Sequence, residues 1–487
     1  MLGIIAGAAV GVRAAGALLR PPWHDEYFTA WAAALPLGDL IAALRLDSGP
    51  PLPYLLAKLV AALGPSPLAA ARLVSVLAGT LAVLVAARAA GRVAGAAAGA
   101  WCAALLALHP LAVAWSSEGR GYALLLLAAA LAWERLEALR ETGRGALGLA
   151  LAVALGCWSH ALGLVLAGAT AVASLTLPRR GRQAALLGVG MGLASHLPWL
   201  PVAIAQPASA TAWMAGAWLE MAPLERVLAP VRLLPPVAPF AAHLDLPSAP
   251  ALAQALAAAL CIWLLIAVGR AQRAGASSPL PAAVLTAVPA IGLGVLAWAG
   301  APYLFPGRSE ALYLAPFVGL LAAGAARSRA HRIGGVLLVA GAAASTGVAL
   351  VAWGEAPPSD ESLVAAAIRQ HLQDGGTVVI GGYWRLGVSF HLGREAGRYE
   401  LVNVPASAAA HPGWYEDARD HGATLEVDEL AARLTTPAVA GRRVAIIVTP
   451  GTVTAPQLTA LARRLELRQV LRLRAAVLWA APAEGEQ

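Results

Sequence analysis

The chain has 487 residues, 59% of them hydrophobic and only 13% charged, with a mean hydropathy of +0.68. A soluble globular protein carries about 25% charged residues, so a cytosolic enzyme and a disordered scaffold are both excluded, and a polytopic membrane protein is indicated. The formal charge of +8 is uneven: residues 1–354 hold 22 Arg/Lys against 12 Asp/Glu, whereas residues 355–487 hold 13 against 15. The positive excess therefore sits in short loops of the apolar part, where it reads as membrane topology and not as a nucleic-acid surface.

In chain order, apolar runs long enough for a bilayer-spanning helix occupy residues 1–19, 68–88, 93–114, 121–139, 184–204, 250–269, 279–299, 311–326 and 333–353. The first run reads as an uncleaved signal anchor, because Arg20-Pro21-Pro22-Trp23 is a poor small-residue cleavage site. Segment 26–46 has the spacing of an amphipathic helix lying in the membrane interface. Run 145–177 is 33 residues long with Ser159 and His160 at its middle. Arginine clusters at 88/92, 135/140/144, 179/180/182, 270/273 and 327/329/332 belong on the cytoplasmic side. Run 145–177 lies between two of them, so it must cross an even number of times, as a hairpin turning at Ser159–His160. The expectation is about eleven spans, with the N-terminus inside and the C-terminus outside. Of the 12 acidic residues before 355, only Glu134, Glu137 and Glu141 fall inside in this arrangement, so polar chemistry gathers on the outer face.

Loop 205–249 carries Trp213, Trp218 and the short amphipathic stretch PLERVLAPVRLL; tryptophans there are expected to anchor at the interface. After Pro357-Pro358 the composition changes. Residues 355–487 are expected to form a small soluble α/β domain outside the cytoplasm, and residues 1–354 the membrane domain. Helices are expected in ESLVAAAIRQHLQ, DELAARLTT and APQLTALARRL, strands in TVVIGGYW and RRVAIIVTP, and a terminal strand or hairpin in RQVLRLRAAVLWAA. Cys102, Cys157 and Cys261 all lie in apolar runs and read as small core residues.

Four clusters carry chemistry. Trp23-His24-Asp25-Glu26-Tyr27 follows the first span and places two carboxylates and an imidazole at the membrane surface. One carboxylate can deprotonate an acceptor hydroxyl while the other orients it or holds a metal. A lone Asp-Glu pair is ordinarily a solvated turn, but the aromatic flanks and the remaining clusters weigh against that. Ser116-Ser117-Glu118-Gly119-Arg120-Gly121-Tyr122 offers Arg120 and Tyr122 to a phosphate or sugar, with Glu118 read as the side-chain partner of Arg120; an ion pair capping a helix is the alternative. Asp47 precedes Pro50-Pro51-Leu52-Pro53-Tyr54, either as an acceptor contact or as a turn residue. Arg308, in Pro306-Gly307-Arg308-Ser309-Glu310, suits a lipid-linked phosphate or simply snorkels. His24, His109 and His160 lack a zinc-ligand spacing.

These clusters, in this order, resemble the GT-C superfamily of membrane glycosyltransferases, in particular the bacterial proteins related to protein O-mannosyltransferases and ArnT-like aminoarabinose transferases. SSEGRGYALLL, CWSHALGL, HLPWLPV and PGRSEALYLAPF resemble successive segments of that family, although Ser117 stands where relatives often have Gln. The resemblance covers most of residues 1–350. It implies a GT-C fold and a polyprenyl-phosphate sugar donor bound at the outer leaflet of the plasma membrane. It implies Asp25 as catalytic base with Glu26 beside it. His24, Asp47, Glu118, Arg120, Tyr122 and His160 are assigned to the donor and substrate site, and Arg308 to the donor phosphate. The expected partners are the lipid-linked donor, membrane lipid and an acceptor of open identity, with no nucleic acid. A divalent metal at His24/Asp25/Glu26 is possible on residue type but is not favoured, since arginines can meet the phosphate charge. The competing class is a transporter or lipid flippase, which places its charges mid-span and in paired repeats.

Overall fold

The computed structural model describes residues 2–206, 251–273, 279–298, 307–382, 384–406, 423–434, 443–450 and 454–481. Loop 207–250, with Trp213, Trp218 and PLERVLAPVRLL, lies outside the described residues. The chain divides into two compact units: Met1–Arg20 with Pro36–Glu355, and Pro21–Leu35 with Ala356–Gln487. The second unit thus takes in residues 21–35, which the sequence assigns to the membrane domain's first loop.

In the first unit a helix stands on every predicted apolar run. Leu2–Leu19 is followed by Pro67–Leu108, Tyr122–Thr142, the hairpin Ala146–Ser159 and Gly163–Ser174, and Arg179–Ala194. Ala251–Arg273, Leu280–Trp298, Leu314–Ala325 and Arg329–Gly354 complete the set. The two runs 68–88 and 93–114 form one 42-residue element broken at Ala94–Gly95, where Gly95 takes φ +82°, a conformation open to a residue without Cβ. The second run stops at Leu108, because Pro110 starts a new short helix, Pro110–Ser117. Among the described residues, three helices are by themselves long and apolar enough to cross a bilayer: Pro67–Leu108, Arg179–Ala205 and Arg329–Gly354. The hairpin at 145–177 turns at Ser159–His160, as the charge argument predicts. Its helices come together at Gly156 and Gly163, where a Cβ on Gly163 would meet the Gly156 backbone. Small residues give such close approach in membrane helices.

The single amphipathic helix expected over 26–46 is instead two, His24–Ala34 and Leu37–Leu44. Pro36 separates them, since it disfavours helical geometry in the residue before it and lacks the N–H a continuing helix needs.

Arg13, which interrupts the first apolar run, is fully buried. Its guanidinium donates to the carbonyls of Leu106 (3.1 Å) and Ala107 (2.9 Å) and to Ser116 Oγ (3.2 Å). Thr346 Oγ1 donates to the next carbonyl, Leu108 (2.7 Å). The last carbonyls of the long helix, which have no intrahelical partner, are thereby satisfied, and a cation sits at the negative end of its dipole. Elsewhere in this unit Glu134 is bonded by Arg88 (3.0 Å), Arg92 (3.2 Å) and Arg135, and Glu137 by Arg140 (2.8 Å) and Trp133 Nε1 (3.3 Å). These carboxylates, predicted to lie inside the cell, meet the arginine clusters predicted for the same side.

Among the described residues of the second unit, five strands form one sheet: β1 Gly376–Gly381, β2 Tyr399–Val404, β3 Val444–Val448, β4 Arg468–Arg472 and β5 Val477–Ala480, in the order β2-β1-β3-β5-β4. β1 pairs parallel with β2 and β3, and β5 pairs antiparallel with β3 and β4. Side chains alternate across the sheet. Val378 and Ile380 join Val364, Ile368, Trp384 and Val388 on one face, while Val379 joins Val427, Leu430, Leu458 and Leu461 on the other. Every predicted element is present. The sequence missed β2 and the helix Arg385–Leu392: Gly382 lies in a bend just past β1, and Trp384, read as the end of a strand, instead precedes that helix as its N-cap.

Candidate active site

The Pro50-Pro51 turn leads into the helix Leu52–Ala61 and places Tyr54 in its first turn. The Tyr54 hydroxyl donates to Asp47 Oδ2 (3.0 Å) and accepts from Arg120 Nη1 (3.2 Å). Asp47 and Tyr54 are both buried. A carboxylate, a phenol and a guanidinium from two separate turns are thus joined in one chain of hydrogen bonds.

Two residues beyond Arg120, the buried Tyr122 opens the helix Tyr122–Thr142. Its ring lies 5.0 Å from the His160 ring, centroid to centroid, and the Arg308 guanidinium sits over it at 5.8 Å. His160, at the hairpin turn, accepts from the Leu162 N–H through Nδ1 (3.1 Å), which leaves Nε2 to carry the proton of the neutral ring. Both Arg120 and Arg308 act on His160 electrostatically. Arg308 follows Gly307, whose φ of +85° suits glycine. The Gly307 peptide groups are held from two sides: its carbonyl accepts from Trp115 Nε1 (2.7 Å), and its N–H donates to Glu310 Oε1 (2.8 Å). Arg308 over the Tyr122 ring and Arg120 on Tyr54 could each offer charge and forked donors to an anionic group.

Glu118 is fully buried, and Arg20 Nη1 lies 2.8 Å from its Oε2. Arg20 also donates to the Ala114 carbonyl (3.2 Å) and stacks at 5.5 Å over Trp353. The carboxylate read from the sequence as the partner of Arg120 is therefore tied to an arginine 98 positions earlier, while Arg120 bonds to Tyr54. Breaking a buried ion pair by removing one partner costs about 3–5 kcal/mol. Glu118→Ala is accordingly expected to lower the thermal unfolding midpoint of the detergent-solubilised chain clearly, and an unchanged midpoint would contradict a structural role for the pair.

His24, Asp25 and Glu26 lie in the second unit, in the first turn of the helix His24–Ala34, where acidic groups complement the helix dipole. Asp25 and Glu26 are both buried. Thr29 Oγ1 donates to the Asp25 carbonyl (2.9 Å). Tyr27, in the same turn, bonds to His391 Nε2 (2.9 Å), with Phe390 stacked at 5.0 Å. Burial holds the His391 imidazole below its usual range; Glu361 pulls it up and Arg369 pushes it further down. Among the described residues, no three His, Cys, Asp or Glu side chains gather in a way that could hold a metal ion.

Eight of the nine predicted site residues thus fall into three groups: Asp47 with Arg120; Tyr122 with His160 and Arg308; and His24, Asp25 and Glu26 on one helical turn. Glu118 stands with Arg20. Arg20, Trp115 and Glu310 were not singled out as site residues, because their partners lie in distant segments or in the backbone and leave no local pattern.

Residues 48–201 match the family model of dolichyl-phosphate-mannose-protein mannosyltransferases. No curated protein sequence matches the chain significantly. Among solved structures, the chain is similar to ArnT from Cupriavidus metallidurans bound to undecaprenyl phosphate (15% identity, 99% of each chain covered, TM-score 0.65). It is similarly close to the same protein in the apo state (15% identity, 98% and 97% covered, TM-score 0.64). A more distant likeness is to the archaeal oligosaccharyltransferase AglB from Archaeoglobus fulgidus, in complex with an inhibitory peptide and a dolichol-phosphate (13% identity, 94% and 71% covered, TM-score 0.51). The resemblance read in the sequence is borne out to this extent: residues 48–201 are similar to the mannosyltransferase family, and the chain shares the fold of the ArnT structures over nearly its whole length.

Proposed function

We propose that the chain is a membrane glycosyltransferase that moves a sugar from a polyprenyl-phosphate donor to an acceptor hydroxyl on the extracytoplasmic face of the plasma membrane. The observation that carries this reading is the cluster of Arg120, Tyr122, His160 and Arg308, an arginine-rich site for a phosphate, on the GT-C fold. The undecaprenyl phosphate held by the similar ArnT structure supports a lipid phosphate as the ligand. The eleven helical runs serve as the spans, the arginine clusters face the cytoplasm, and residues 355–487 stand outside. No nucleotide sugars are available there, so the activated sugar must arrive on a lipid.

In the proposed step the acceptor oxygen attacks the anomeric carbon. The new C–O bond forms as the bond from that carbon to the phosphate oxygen breaks. The acceptor proton passes to Asp25, and the electron pair of the broken bond leaves with the polyprenyl phosphate. Arg308 and Arg120 neutralise the charge growing on that phosphate, so the step calls for no metal. Glu26 orients the acceptor, and Asp47 fixes Arg120 through Tyr54. The test is incubation of the detergent-purified chain with a panel of labelled polyprenyl-phosphate sugars and an envelope extract as acceptor source. The expected result is free polyprenyl phosphate and label in a new product. A chain that neither binds nor consumes any donor overturns the proposal.

A further inference from the structure

The helix carrying Asp25 and Glu26 has 11 residues, too short to be stable alone. Eight of them are buried, so packing holds it. The helix groups with the C-terminal unit, as residues 21–35 cluster with 356–487. The centre of the contact is Tyr27. Its hydroxyl donates to the Pro22 carbonyl (3.3 Å) just before the helix, and also meets His391 Nε2 (2.9 Å) and Ser359 Oγ (3.4 Å). Ser359 and His391 are themselves 3.3 Å apart, closing a small polar ring.

Both partners are fixed in the α/β domain. Ser359 caps the helix Asp360–His371 by accepting from the Ser362 N–H (3.2 Å). His391 ends the helix Arg385–Leu392, and Arg369 donates to its carbonyl. Asp25 and Glu26 lie within one helical turn of Tyr27. In a rigid helix each residue adds about 100° and 1.5 Å, so fixing Tyr27 fixes where both carboxylates point.

We propose that the C-terminal α/β domain is a positioning element for catalysis, and that Tyr27 and His391 are the positioning residues through which it holds Asp25 and Glu26. The inference rests on the transferase reading for the role of those carboxylates, but not for the docking of the helix. Neither residue touches the reacting atoms. Their effect is on geometry, and a displacement of about 1 Å in a reacting group can cost on the order of 100-fold in rate.

The test uses the full-length chain in detergent. His391→Leu is expected to lower kcat by roughly 10- to 100-fold while leaving the donor KM unchanged. Tyr27→Phe should act in the same direction, and the double variant should lose little more than His391→Leu, because both remove the same link. His391→Gln, whose amide can still donate to the Tyr27 oxygen, should retain most of the rate. In parallel, amide hydrogen exchange over residues 24–34 should quicken in His391→Leu, with residues 67–108 unchanged. Unchanged exchange over 24–34 overturns the docking. Faster exchange with wild-type kcat overturns the positioning role. A wild-type chain inactive on every donor refutes the transferase reading instead, and exchange alone then decides whether the domain holds the helix.

Discussion

Asp25→Asn is expected to abolish sugar transfer, lowering the rate by at least about 100-fold and up to roughly 10⁴-fold, the range general-base catalysis supplies. The substitution keeps size and shape at a buried position in the first turn of its helix. It removes the group proposed to take the acceptor proton. Expression, membrane insertion and donor binding should therefore stay at wild-type levels. Glu26→Gln, at the neighbouring buried carboxylate, should weaken transfer strongly without abolishing it. The measurement is the initial rate of sugar transfer at saturating donor, with donor binding followed separately. An Asp25→Asn variant with normal turnover would falsify the assignment of the base.

The second large effect concerns Arg308. Its guanidinium is presented over Tyr122 by a turn clamped by Trp115 and Glu310. Arg308→Ala removes a cation from the proposed phosphate site, and loss of one such charge-stabilising donor costs about 10²–10³-fold in kcat. The account expects donor use to suffer more than acceptor use: kcat/KM for the lipid donor should fall further than kcat/KM for the acceptor. Arg308→Lys should recover only part of the loss, because an ammonium keeps the charge but lacks the planar fork and its stacking. Equal losses toward both substrates would place Arg308 away from the phosphate.

How far the sequence reaches is clear from particular residues. The long apolar runs and the arginine-rich loops predict the helices one by one, including the hairpin at Ser159–His160, because hydrophobic length and charge are local properties. The turn at Pro50-Pro51 and the tight sequence from Glu118 to Tyr122 likewise announce the candidate site residues, since proline and glycine restrict or release the backbone locally. The Arg20–Glu118 pair joins residues 98 apart, and no spacing rule reaches that far. The break at Ala94–Gly95 hides in a stretch where alanine and glycine alternate without a proline to mark it. Strand β2, Tyr-Glu-Leu-Val-Asn-Val, mixes polar and apolar residues and gains its strand state from its parallel neighbour β1. The alliance of residues 21–35 with the C-terminal unit depends on Tyr27 meeting His391, 364 positions away. Local chemistry thus marks which residues are candidates, and the tertiary fold decides which of them meet.

The central claim is that the chain breaks the bond between sugar and lipid phosphate and does not merely move the lipid. Proteoliposomes containing the full-length chain, a doubly labelled polyprenyl-phosphate sugar and an envelope acceptor extract test it most directly. The account predicts that sugar and lipid labels separate, with one polyprenyl phosphate freed for each sugar transferred, and that Asp25→Asn stops this. Intact donor appearing in the opposite leaflet with both labels still joined, at a rate unaffected by Asp25→Asn, would contradict it and identify a flippase.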